Sequence, residues 1–186
     1  MPVSAAQYQM AVAFPGQRLS IQSDTFGHSA LQETINPTNE YIPFGSLVVA
    51  SSTQSGSIEL PSATGQTLVG LAPIQAYQRS GLNTGGVDNG GVAGIPPNQP
   101  AHYSYRGVYA VVTETALTTS DTLYYRHTDE AVPAMYDGRG RIRNDDAGGN
   151  ADQIPATELY RYRILEDVTA GQIARLEIDF APTLLV

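Results

Sequence analysis

No stretch of ten or more residues in this chain places apolar side chains at the spacing of about 3.6 residues that an amphipathic helix needs. What recurs is alternation, in short runs cut off by Gly and Pro. The clearest case is ELYRYRILE, followed after Asp167 by VTAG and then by IARLEIDF. Tyr160, Tyr162 and Ile164 fall on one face, with Arg161 and Arg163 on the other. Beyond the Gly-containing turn, Ala174, Leu176, Ile178 and Phe180 alternate with Arg175, Glu177 and Asp179. Successive side chains of a strand point to opposite faces, so the pattern predicts a half-buried antiparallel hairpin with its Arg and carboxylate rows toward water.

Shorter signals upstream agree. IPFGSLVVA (Ile42 to Ala50) is an apolar run behind a Pro and a Gly. SGSIELPSATG alternates through Ile58 and Leu60 and turns at Pro61 and Gly65, and TLVGLAPI (Thr67 to Ile74) follows. GVYAVVTE (Gly107 to Glu114) and DTLYYRH (Asp121 to His127) read as strands joined by TALTTS. SALQETINPTNE holds at most one helical turn before Pro37 stops it. The fold class expected is mainly β: a single barrel- or sandwich-like domain with an extended N-terminal arm and long Gly-rich loops.

On this reading residues 1–40 are the arm, residues 41–181 the β domain and residues 182–186 a C-terminal tail. Two long loops interrupt the domain. Residues 79–104 begin RSGLNTGGVDNGGVAG and offer no face to bury, and residues 133–157 contain the charged stretch DGRGRIRNDDAGGNAD. Phe14, Leu19, Ile21 and Phe26 are scattered apolar anchors on the arm, placed to plug a neighbour's groove, so the arm is expected to serve attachment more than folding.

Charge narrows the partners. The net charge is −8, so no phosphate-neutralising surface is expected and nucleic acid is excluded as a partner. Only 15% of residues are charged, against roughly 25% in an average domain. All ten basic residues are Arg, the cation that makes forked pairs at interfaces. With no Cys, any extra stability has to come from packing or oligomerisation. No apolar run approaches the roughly 20 residues of a membrane span. MPVSAAQYQMAVAFPGQRLS lacks the basic start and apolar core of a signal peptide, which points to synthesis in the cytoplasm.

Motifs that would carry chemistry are incomplete. His28, His102 and His127 stand far apart in sequence, each without a second ligand at metal spacing. GHSAL around Ser29 has Leu31 where a nucleophile elbow needs Gly. NDDAGGNAD (Asn144 to Asp152) clusters oxygen ligands and glycines as a Ca²⁺ loop does, without the spaced alternation or the closing Glu. QRSGL and SYRGVYAVV resemble two signatures of dUTP nucleotidohydrolases, yet QPAHYS carries no Asp to activate water, and the chain ends in FAPTLLV without a Gly-rich phosphate lid. No catalytic residue, cofactor or metal is expected.

A series of seven segments resembles the structural cement proteins that decorate the heads of tailed bacteriophages. In order these are AFPGQRLSIQS, NEYIPFGSLVV, ELPSATGQTLVGLA, YRGVYAVV, LYYRH, GRIRNDDAGG and TAGQIARLEIDF. The likeness covers most of residues 11 to 181, and the Gly-rich insertion departs from it. The resemblance implies a β-barrel-like domain, usually oligomeric, on junctions between major capsid subunits at the outer surface of the virion, with no enzymatic role. The partners it implies are the major capsid protein and further copies of the chain, with a trimer expected because a mainly β core has edges to cover. The candidate contacts are Phe14, Arg18, Leu19, Phe26, Tyr41 and Phe44. Two other readings are a glycan-binding or other surface module using Tyr103, Tyr105, Tyr109, Tyr124, Tyr125, Tyr160 and Tyr162, and a dUTP nucleotidohydrolase-like enzyme.

Overall fold

A computed structural model describes residues 15–19, 31–38, 40–74, 94–129, 138–155 and 160–180. Among these residues there are thirteen strands and no helix. In chain order they are β1 (Leu31–Ile35), β2 (Ile42–Pro43), β3 (Leu47–Ala50), β4 (Ile58–Glu59), β5 (Leu68–Leu71), β6 (Gly94–Ile95), β7 (Pro100–Ser104), β8 (Arg106–Val112), β9 (Tyr124–Arg126), β10 (Ile142–Arg143), β11 (Ala151–Gln153), β12 (Tyr160–Ile164) and β13 (Ile173–Phe180). Every ladder between them is antiparallel. The mainly β class inferred from alternation is the one observed.

The strands form a five-stranded sheet in the order β1-β7-β5-β3-β4, two three-stranded sheets, β12-β13-β8 and β10-β9-β11, and the pair β2-β6. The five-stranded sheet is the middle layer. Leu47, Val49, Leu68 and Leu71 face one apolar cluster, shared with Tyr109, Val111, Leu176, Ile178 and Phe180. Val48, Val69 and Ala72 face a second, shared with Ile42, Phe44, Ile95 and Tyr103. A strand buried on both faces needs apolar residues at every position, which is why β3 (LVVA) and β5 (LVGL) read as continuous runs while β13 alternates. Gly70 is required where β5 meets β7, because a Cβ there would stand 2.3 Å from the Ser104 carbonyl oxygen.

The C-terminal hairpin has the register its alternation implies, with Arg161 opposite Asp179, Tyr162 opposite Ile178 and Arg163 opposite Glu177. Ala174, Leu176, Ile178 and Phe180 are buried, and Arg175 is exposed. β13 also pairs along its length with β8. It is therefore a central strand, and each of its large inward side chains contributes about 1.5–3 kcal/mol of burial.

Several local expectations give way. Leu31–Ile35, read as a possible helical turn on the arm, is a strand paired with β7 from Leu31↔Ser104 to Ile35↔Pro100. Propensity at LQETI is overridden by the ladder that β7 offers. β7 lies at the end of the stretch taken as a loop insertion. It begins with Pro, whose missing N–H is tolerated at a first strand position. Residues 133–157 contain β10 and β11, which flank β9 in their own sheet. Strands of two and three residues with polar neighbours leave no periodic signal.

Pro15–Leu19, expected on a free arm, is stitched into the body. Gly16 N–H donates to the Ala110 carbonyl at 2.7 Å, Ala110 N–H to Gln17 at 2.9 Å and Leu19 N–H to Val108 at 2.9 Å, covering the edge of β8 that β13 leaves open. Ile74 N–H donates to the Gly16 carbonyl. Gly16 (φ +76) lies back to back with Gly45 (φ +83), so that a Cβ on either would come within 2.8 Å of the other segment. This strap closes the three-stranded sheet.

Candidate functional site

Glu114 follows the end of β8, with its carboxylate nearly sealed from water. It accepts two bonds from Arg126 Nε (2.7 and 2.9 Å) and one from Arg143 Nη1 (2.8 Å), and Arg143 also reaches Asp145. Strand pairing brings these groups together, since β9 carries Arg126, β10 carries Arg143, and Thr113 bridges to Ile142. A buried carboxylate flanked by two guanidiniums is costly to dismantle from one side. Gly138 packs against this pair, where a Cβ would sit 2.9 Å from Glu114 Oε1.

Other buried polar groups also fasten loops. Asn36, fully buried, donates from its amide to the carbonyls of Glu40, Ile95 and Pro96, and accepts from Thr38. Glu59 accepts from the Ser51 and Ser52 hydroxyls and from the Gln66 amide, which secures the Ser51–Ser57 turn. Asp152 on β11 accepts from the Thr64 hydroxyl and the Gly65 N–H, each at 2.7 Å. On the wet face of the hairpin Arg163 pairs with Glu177, Arg106 with Asp179 (2.7 Å) and Arg175 with Glu166 (3.1 Å). These exposed pairs contribute little each.

Titration behaviour follows the packing. Burial pushes the phenols of Tyr103 and Tyr162 above their ordinary value, and the neighbouring Tyr105 and Tyr124 phenols act in the same direction. The Thr118 N–H holds the Asp121 carboxyl below its usual range.

The motifs weighed for catalysis are put to structural use. Arg106 of Tyr105-Arg106-Gly107 is engaged with Asp179, and Gly107 (φ +137) lies against the Tyr109 ring, while QRSGL falls outside the described residues. In NDDAGGNAD, Asp145 accepts from Ala147 N–H and Asp146 from Gly148 N–H, so these oxygens organise their own turn. Among the described residues no three His, Asp or Glu side chains converge as a metal site. His28 falls outside the described residues, His102 is half-buried on β7, and His127 is buried after β9. Of the tyrosines considered for stacking, Tyr103, Tyr109 and Tyr125 are interior, Tyr105, Tyr124 and Tyr162 are half-buried at separate places along the chain, and the side chain of Tyr160 falls outside the described residues.

The six candidate contact residues separate. Arg18 is exposed on the strap, and Leu19 and Tyr41 are half-buried. Phe44 is 9% exposed and belongs to the second apolar cluster, so it acts as a core residue of this chain. Phe14 and Phe26 lie outside the described residues. No single residue signals the margins of the sheets: among the described residues β1 has only β7 as a ladder neighbour, β4 only β3, β10 and β11 only β9, and β12 only β13. A strand margin without a ladder partner offers N–H and C=O groups to which another strand can add.

Among the described residues the body is all strand, and its buried polar groups fasten its own loops, which defines a structural β module. The chain belongs to the structural cement protein family (E217 gp24/Pam3 gp6), whose model matches residues 2–179. It is a phage virion structural protein of the cement type. A chain in the solved structure "The capsid of Myoviridae Phage XM1" shares the fold, with a TM-score of 0.57 at 18% identity over 96% of this chain and 98% of that one. No curated protein matches.

Proposed function

We propose that this protein binds the outer face of the phage head, bridges neighbouring major capsid subunits, and does so as a symmetric homo-oligomer, a trimer. The observation that carries the reading is that, among the described residues, β1 on one sheet and β12 on another have a ladder partner on one side only. Two margins on separate sheets allow one to pair with a second copy and the other with the shell, by strand addition. Arg18, Leu19 and Tyr41, together with Phe14 and Phe26, are the contact residues of this reading.

The energetics suit a cement. A protein that binds the mature lattice and not its disrupted form stabilises each site by about 2.7 kcal/mol at a hundredfold excess over its dissociation constant. Summed over many sites, that opposes internal pressure. An acidic chain made in the host cytoplasm also avoids nucleic acid on its way to the shell. The reading has no catalytic step, cofactor or membrane contact; no helix among the described residues is long and apolar enough to cross a membrane.

Mass photometry at micromolar concentration tests the assembly, with a single trimer peak expected. A monomer that stays monomeric at tens of micromolar and on addition of heads would overturn it. Incubation with dUTP and Mg²⁺ should release no pyrophosphate, and measurable turnover would restore the nucleotidohydrolase alternative.

A further inference from the structure

Arg161 is a charge that the chain leaves unmet. On the outer face of the β12-β13-β8 sheet Arg163 pairs with Glu177, Arg106 with Asp179 and Arg175 with Glu166. Arg161 lies opposite Asp179 in the ladder, yet that carboxylate is engaged by Arg106. The Arg161 side chain is exposed and has neither a hydrogen bond nor an ion pair among the described residues. One end of the sheet therefore carries a surplus positive charge on a chain whose net charge is −8.

At the other end of the same sheet the surplus has the opposite sign. From the Asp179 row to the Ile173 row β13 runs roughly 20 Å at the rise of a strand. There Leu117 bridges to Val168, and Asn144 N–H donates to Thr115 Oγ1. These contacts gather three aspartates from three loops. Asp121 accepts from the Thr118 N–H and the Asn144 side chain, Asp167 from the Thr119 N–H, and Asp146 from the Gly148 N–H. Each of those donors is neutral, and Asp146 and Asp167 are exposed. Arg143, which leads into this group, is spent on Glu114 and Asp145.

We propose that the Arg161 end of the sheet docks against the Asp121, Asp146 and Asp167 end of a second copy of this chain, and that this contact repeats around the ring. The inference rests on the proposed trimer and names the surfaces that meet in it. A cyclic trimer is held by heterologous contacts, in which two different patches of the chain come together. This sheet supplies two such patches, of opposite charge and at opposite ends. The carboxylates that lack a cation belong to the chain itself, so a second copy provides what Arg161 is missing. A guanidinium suits the task, because its planar fork meets a carboxylate through two bonds and anchors interfaces more often than an ammonium does. Complementary ends also steer the copies into one order and make their association depend on salt.

The test follows the full chain by mass photometry and sedimentation velocity, from nanomolar to tens of micromolar, at about 50 and about 500 mM NaCl. The parent trimer should half-dissociate at a higher concentration in the higher salt. Arg161→Glu should raise that concentration about tenfold or more, and its far-UV circular dichroism should match the parent, since Arg161 makes no side-chain contact inside its own chain. Asp146→Asn combined with Asp167→Asn keeps an acceptor for Gly148 and for Thr119 while removing two charges, and should weaken the trimer in the same direction. Asp146→Arg alone should also weaken it, and adding Asp146→Arg to Arg161→Glu should recover most of the loss. A parent trimer that Arg161→Glu or the Asn pair leaves unmoved overturns this contact while the trimer stands, as does a double reversal no better than either single one. A parent that stays monomeric at tens of micromolar and on addition of heads removes the trimer, and this contact with it.

Discussion

Replacing Gly16 by Ala asks whether the strap belongs to the body of the protein. Gly16 adopts φ +76, and a Cβ there would lie 2.8 Å from Phe44 Cβ, 2.9 Å from Gly45 N and 3.0 Å from the Ala72 carbonyl oxygen. Two of those neighbours are backbone atoms in the middle of the fold, so they cannot swing aside. The left-handed conformation costs an L-residue about 1–2 kcal/mol, and forcing a methyl group into a packed contact costs about 1–3 kcal/mol more. Gly16→Ala should therefore destabilise by about 2–5 kcal/mol. Gly65 is the internal control, since it adopts φ +75 with nothing within 4 Å of its would-be Cβ. Gly65→Ala should cost only the conformational part, about 1–2 kcal/mol. Urea unfolding with a common m-value reads both as shifts of midpoint. If the two variants lose the same stability, the strap does not lie against Gly45, and Pro15–Leu19 is a free arm after all.

Three further outcomes follow from packing and charge. Ile178→Ala and Phe180→Ala, on the inward face of the central strand β13, should each cost about 3 kcal/mol in thermal or urea melts; a silent Ile178→Ala would mean the two faces of the hairpin are exchanged. Glu114→Gln leaves Arg126 and Arg143 facing a neutral amide in a nearly dry site and should cost about 3 kcal/mol, whereas a loss under about 1 kcal/mol would show that water screens the cluster. Because burial raises the phenol pKa values of Tyr103 and Tyr162, the folded protein keeps protons that the unfolded chain releases above about pH 10. The stability they contribute is complete below that pH and falls as pH rises toward the folded values. Chemical denaturation at pH 9, 10 and 11 should show this fall, and the Tyr103→Phe, Tyr162→Phe double variant should flatten it; an unchanged alkaline limb would locate the titration elsewhere.

The parts of the fold legible in the sequence are those where one physical constraint repeats along the chain. Eight residues of β13 alternate because one face meets the core and the other meets water, and β3 and β5 are apolar throughout because both of their faces are covered. The parts that were not legible depend on partners far away in sequence. Leu31–Ile35 is a strand because residues 100–104 lie beside it, and β10 and β11 are too short to show a period. The strap is invisible without knowing that Gly45 stands behind Gly16. The ion cluster joins Glu114 to Arg126 and Arg143, and no local pattern pairs them. At the surface, Arg18 is exposed, while Phe44 serves the core, because an aromatic beside a Gly turn looks the same in sequence whether it points in or out.

The most direct test of the cement role is addition of the purified protein to heads of its parent phage that lack it. Binding should saturate at a fixed number of copies per head that matches the symmetry of the lattice, and decorated heads should release DNA at a higher temperature than bare ones. Failure to co-sediment with bare heads, or binding that leaves the release temperature unchanged, would contradict the account.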